Sequence, residues 1–142
     1  MQNPVGLHMS IYNDLDNHYI YSNITLPDQY QGYPGVVHGG IVASMLDEIS
    51  GRSIMINGND QNLMVTLKLE VKYRRPTPTN TPLKVIGRVV SQTKTRAKVE
   101  GEIQLPDGMV TASCEGLLAR PPEEMQTQWL AELPYWKVYP DV

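Results

Sequence analysis

GVVHGGIVASMLDEISG, residues 35–51, decides how the rest of the chain is read. At about 100° per residue, Ile41, Val42, Met45, Leu46 and Ile49 fall on one face, the pattern of a helix that buries a stripe. The helix is predicted from about Gly39 to Asn57, where the turn residues of NGND, 57–60, end it. Two features do not serve a plain buried helix. It opens on His38-Gly39-Gly40, although glycine is a poor helix former. It also carries Asp47 away from the apolar stripe, with Ala43, Ser50 and Gly51 around it and Ile54 beside them. Small residues there let another backbone come close. Glu48 lies elsewhere, one turn before Arg52, in the favourable order for a surface ion pair.

A helix begins with unpaired N–H groups and a partial positive charge. Glycines without side chains let a ligand oxygen touch those groups. His38-Gly39-Gly40 is therefore either a seat for an anion or a polarised carbonyl, or a tight turn into the helix with nothing bound. Both readings stand on the glycines alone.

Outward from the helix the chain alternates. HYIYSNITL, 18–26, reads as a first strand, and Pro27, Gly32, Pro34 and Gly35 mark a loop before the helix. After it, NLMVTLKLEVKYRR, 62–75, places Leu63, Val65, Leu67, Leu69, Val71 and Tyr73 on one face. Thr66, Lys68, Glu70, Lys72 and Arg74 fall on the other. PTPTNTP, 76–82, is a loop; 83–91, 95–105 and 109–120 are further strands, the last two joined at the hairpin signal PDG, 106–108. One strand, one long helix and then four consecutive strands with short links imply an α+β fold, an antiparallel sheet of about five strands packed on a single helix. This domain spans 1–120. In the tail, 121–142, Pro122, Glu123 and Glu124 are a helix start, with Met125, Trp129 and Leu133 at helical spacing. A short docked helix and a loose tail both remain open.

The 142 residues fit one domain, large enough to fold without staples. A net charge of −3 argues against nucleic acid as the main partner. A single cysteine, Cys114, excludes an internal disulfide and fits a reducing, cytoplasmic setting. It is expected to be packed and inert. No signal peptide and no membrane span are read. His8 and His18 lack ligand spacing, and no metal is expected.

With Asp47 included the pattern becomes specific. GVVHGGIVASMLDE resembles the H-G-G-x(6)-D-E signature of hot-dog-fold acyl-CoA thioesterases of the phenylacetate-pathway and 4-hydroxybenzoyl-CoA thioesterase-like type. NPVGL at 3–7, VTLKLEVKYRRPTP at 65–78 and EGEIQLPDGMVTASCEGLLAR at 100–120 resemble other parts of that family. The resemblance spans about residues 3–120. It implies hydrolysis of an acyl-CoA, with coenzyme A part of the substrate and no separate cofactor. Gly39 N–H would polarise the thioester carbonyl, and Asp47 would act as nucleophile or as general base. Thr66 would position water or substrate; His38 would brace the loop, and Gly40 would support the site. Gln31 would stand in for an asparagine that some relatives carry before the signature. Strict alternation points Thr66 away from the core, so reaching Asp47 requires a bulge or a site at a subunit seam. Lys72, Arg74, Arg75 and Arg88 are candidates for the phosphates of coenzyme A, or solvated charges on an outer sheet face.

Gly39 and Asp47 stand eight residues apart, about 12 Å along a helix. A carbonyl that bonds one group and meets the other bridges only roughly 6–7 Å. Two chains with antiparallel helices are therefore expected to share each site as a homodimer, which the resemblance extends to a dimer of dimers. A hot-dog module that binds acyl-CoA without turning it over is the competing reading; Asp47 favours the enzyme. A hot-dog dehydratase would place a catalytic histidine against the acyl chain, and a DNA-binding regulator would need a helix-turn-helix; neither is read here.

Overall fold

A computed structural model describes residue 7 and residues 9–56 and 63–132. Six strands form one antiparallel sheet: β1 (Tyr12–Asp14), β2 (Tyr19–Ile24), β3 (Val65–Tyr73), β4 (Leu83–Gln92), β5 (Arg96–Gln104) and β6 (Val110–Ala119). Their order is β1-β2-β4-β5-β6-β3. Helix α1 (Gly39–Arg52) packs across one face, and α2 (Glu123–Glu132) follows the last strand. This is the hot-dog fold, one long helix against a curling antiparallel sheet.

The apolar stripe of α1 is where the periodicity put it. Val42, Met45, Leu46 and Ile49 are all 0–2% exposed, against Ile20, Leu83, Val85, Ile103 and Ala112 of the sheet. Full burial of side chains of this size is worth about 1.5–3 kcal/mol each, so this contact is the main glue of the fold. The helix sinks deepest at Ile49. There β4 and β5 oppose Gly87 to Gly101, and a methyl group on Gly87 would sit 2.5 Å from the Ile49 carbonyl oxygen. Backbone cannot yield to that. Gly87→Ala is therefore expected to destabilise the protein by about 3 kcal/mol, read as a lowered denaturant midpoint. An unchanged midpoint would mean that the helix rides farther from β4.

The structure corrects the predicted elements at several points. Among the described residues the sheet has six strands rather than about five, because β1 is a three-residue strand of Tyr, Asn and Asp, too short and polar to show periodicity. Its hairpin with β2 is set by Asp14, whose carboxylate accepts from the Asn17 backbone and side-chain amides at 3.1 and 3.0 Å. His18 has a φ of +55°, so it closes this turn and the strand starts at Tyr19. Helix α1 stops at Arg52 and tightens into a 3-10 turn, Ser53–Met55, not at Asn57, which lies outside the described residues with the rest of 57–62. The Ser50 hydroxyl donates to the Leu46 carbonyl at 2.6 Å, a bond of the kind that weakens a helix near its end. Of NPVGL only Leu7 is described. In the tail, α2 starts at Glu123 and the Gln126 amide donates to the Pro121 carbonyl at 2.7 Å; Leu133 lies outside the described residues.

Candidate active site

The loop entering α1 is tied to the loop after β3. Val37 N–H donates to the Thr77 carbonyl at 2.8 Å and Thr79 N–H to the Gly35 carbonyl at 3.1 Å. One Asp28 carboxylate oxygen accepts from Thr79 Oγ1 at 2.8 Å and Asn80 Nδ2 at 2.9 Å. Behind them, the Thr77 hydroxyl donates to the buried Thr111 hydroxyl at 2.8 Å. Gln31 belongs to this bracing: its Oε1 accepts from Gly35 N–H at 3.1 Å. The loop therefore delivers His38 to the helix in one orientation, fixed further by His38 N–H donating to the Tyr30 carbonyl at 2.9 Å.

His38 is the N-cap of α1. Its carbonyl accepts from Ile41 N–H at 2.9 Å and Val42 N–H at 3.1 Å, and its Nδ1 accepts from Gly40 N–H at 2.9 Å. A helix has four N–H groups at its start with no partner inside the helix. Three have partners here: His38 N–H on the Tyr30 carbonyl, and Gly40 and Ile41 N–H on His38 itself, while Val42 N–H makes the first regular helical bond. The fourth, Gly39 N–H, has no acceptor among the described residues. Gly40 is glycine for a steric reason: a methyl group there would lie 3.1 Å from His38 Nδ1 and displace the capping ring.

Asp47 lies two turns on, half-buried, and Thr66 Oγ1 donates to its Oδ1 at 2.8 Å. Strict alternation would turn Thr66 outward. The ladder shows why it does not: Thr66 pairs with Leu118 and Lys68 with Leu117, leaving Leu67 as a bulge. The extra residue re-phases the strand, so Thr66 shares the inner face with buried Leu118. The correction falls on Leu67, read as a core position and found 54% exposed. Asp47 has no ion-pair partner among the described residues, whereas Glu48 meets Arg52 at 2.7 Å as the spacing predicts.

The four basic candidates are not brought to Asp47. Lys72, Arg74 and Arg88 line a shallow cup on the outer sheet face, among Glu70, Glu100, Glu102 and Glu115. Arg88 is paired with Glu100 and Glu102, each at 3.3 Å. Arg74 Nε donates to the Ser113 hydroxyl at 3.4 Å, and Arg75 is exposed just past β3. Past the bulge at Leu67 the alternation is re-phased, and Lys72, paired with Ser113, points away from the face that carries Thr66. Cys114 is buried, its Sγ donating to the Leu46 carbonyl at 3.9 Å, and burial pushes its thiol pKa up, against any role as a thiolate. No group of three metal-ligating side chains occurs among the described residues.

One residue of this site was read only as a core position. Tyr73, at the end of β3, donates its hydroxyl to the Gly39 carbonyl at 2.7 Å. The available signal was a polar-tipped side chain in phase with Leu69 and Val71, on the helix side of the sheet.

The site residues thus come down to an exposed helix-start N–H and, two turns on, a carboxylate held by a threonine. The family model of the thioesterase superfamily matches residues 34–112, and the chain belongs to that superfamily. A thioesterase superfamily protein of known structure is 33% identical, with a TM-score of 0.72 over 79% of this chain and 53% of that one. The chain thus spans about half the length of that relative. The Escherichia coli PaaI protein of the phenylacetic acid degradation operon is 20% identical, with a TM-score of 0.70 over 80% of this chain and 84% of that one. A hypothetical thioesterase from Streptococcus pneumoniae, solved with coenzyme A, is 22% identical, with a TM-score of 0.64 over 71% and 77%. No helix among the described residues is long and apolar enough to cross a membrane.

Proposed function

We propose that the protein is an acyl-CoA thioesterase whose sites are shared between two copies of the chain. The observation that carries this reading is the one N–H at the start of α1 with no acceptor among the described residues, set on the same helix as a carboxylate oriented by Thr66. Attack on a thioester places negative charge on the carbonyl oxygen, and Gly39 N–H is fixed where it stabilises that charge without reorganisation. The carboxylate acts on the carbonyl carbon, as nucleophile or by taking a proton from water. Thr66 occupies Oδ1 and leaves Oδ2 for the chemistry.

Two copies are needed because the eight residues from Gly39 to Asp47 span about 12 Å of helix. The free edge of the sheet supplies the means. β3 ends the strand order with one side paired to β6 and no strand on the other among the described residues. Leu67 and Tyr73, 54% and 57% exposed, stand along it. Edge-to-edge pairing of two β3 strands covers both, and brings Gly39 of one copy toward Asp47 of the partner subunit. Coenzyme A enters as the thiol half of the substrate, in keeping with the coenzyme A found on the Streptococcus pneumoniae protein.

The test is release of free thiol from short, medium, long and aromatic acyl-CoAs. Turnover of at least one, lost in Asp47→Asn, is the expected result. Tight binding without turnover of any would reduce the protein to an acyl-CoA-binding module.

A further inference from the structure

The Gly39–Gly40 peptide is bonded at both ends. Its carbonyl accepts the Tyr73 hydroxyl at 2.7 Å, and its N–H donates to His38 Nδ1 at 2.9 Å. A continuous path therefore runs from the Tyr73 O–H through this peptide to the imidazole. Bonds in such a chain polarise and strengthen one another. The hydroxyl end of the tyrosine ring also packs against the glycine: a methyl group on Gly39 would find the hydroxyl, Cζ and Cε1 at 3.6–3.7 Å.

Two consecutive glycines are the softest backbone available, and a softly held N–H is a poor donor to a developing charge. Catalytic groups have to be held within about 10–20° of the productive direction. The neighbouring peptide, which carries Gly39 N–H, is held on its other side by Ile41 and Val42 donating to the His38 carbonyl. Tyr73 supplies the remaining restraint, from outside the helix.

We propose that Tyr73 is a positioning residue for thioester hydrolysis, its hydroxyl fixing the Gly39–Gly40 peptide and through it the direction of Gly39 N–H. The inference rests on the thioesterase reading above. It also accounts for β3 touching the helix at both functional points, Thr66 on Asp47 at one end and Tyr73 on Gly39 at the other.

Tyr73→Phe deletes the hydroxyl and keeps the ring. With one neutral hydrogen bond at stake, kcat is expected to fall about three- to tenfold while KM stays within about twofold. The melting temperature should fall by no more than about 4 °C, the share of that one bond. Amide hydrogen exchange at Gly40, followed by NMR on the full chain, should speed up severalfold, while Leu46 in the helix middle stays as slow as in the wild type. A purely structural tyrosine would lower the melting temperature by more than that and leave kcat alone. A kcat within twofold of wild type, or a fall in kcat with Gly40 exchange unaltered, overturns the proposal. Should the wild type hydrolyse no acyl-CoA, the thioesterase reading fails by itself, and Gly40 exchange alone decides: faster in Tyr73→Phe sustains the latch, unaltered removes it.

Discussion

Asp47→Asn is expected to lower thioester hydrolysis by about a hundred- to ten-thousandfold, the range for removing a positioned acid–base group. The fold should be untouched. Asparagine keeps the shape, and its carbonyl oxygen still accepts from Thr66, which now sits 2.8 Å from Oδ1. What is lost is the free oxygen, since an amide nitrogen neither attacks a thioester nor takes a proton from water. Glu48→Gln is the matched control one residue along. It removes an exposed i,i+4 pair with Arg52, worth roughly 0.3–0.5 kcal/mol, and activity should stay within about twofold. Thiol release under saturating substrate compares the three proteins directly. An inactive Glu48→Gln beside an active Asp47→Asn would mean that the wrong helix face has been assigned to the chemistry.

The second large effect is a recovery. Gly39→Pro removes the donor N–H and fixes φ, so this protein and Asp47→Asn should each be inactive as homodimers. In a mixed dimer one site holds both lesions and the other holds neither. Random mixing makes about half the dimers mixed, each with one intact site, so activity should return to roughly a quarter of wild type. The mixed species must first be isolated and shown to be folded and dimeric by its mass and circular dichroism. If it is no more active than its parents, N–H and carboxylate come from the same chain, and the 12 Å of helix between them is bridged some other way.

The helix was legible because its signal is strong. Four fully buried apolar residues recur at helical spacing, and the glycines and carboxylate stand out against them. The succession of elements along the chain followed from alternation, though not the strand order in the sheet, and the Glu48–Arg52 pair followed from spacing alone. What escaped was set by contacts distant in sequence. β1 exists because a turn built on Asp14 folds it onto β2, and three polar residues carry no period of their own. The bulge at Leu67 is a decision of the ladder with β6: parity along a strand is readable only until one residue is skipped. Thr66 was named from the family likeness, and the need for a bulge was foreseeable, but not its place. Tyr73 was assigned to the right face and the wrong work, since nothing local says that its hydroxyl meets a glycine 34 residues earlier.

An open strand edge is a template that accepts many extended chains, which makes its choice of partner a matter of charge as well as shape. The outward side chains of β3 run Lys68, Glu70, Lys72, alternating in sign, with Lys68 and Glu70 3.6 Å apart in one chain. Two such strands pairing antiparallel about Leu69 set each Lys68 opposite the other copy's Glu70. Pairing about Val71 sets Glu70 opposite Lys72. Pairing about Glu70 stacks like on like at every step, which costs energy at each opposed pair. In the proposed dimer the three side chains would act as a keyed comb: they would admit two registers of self-pairing, penalise the one between, and leave a stray neutral strand with nothing to match.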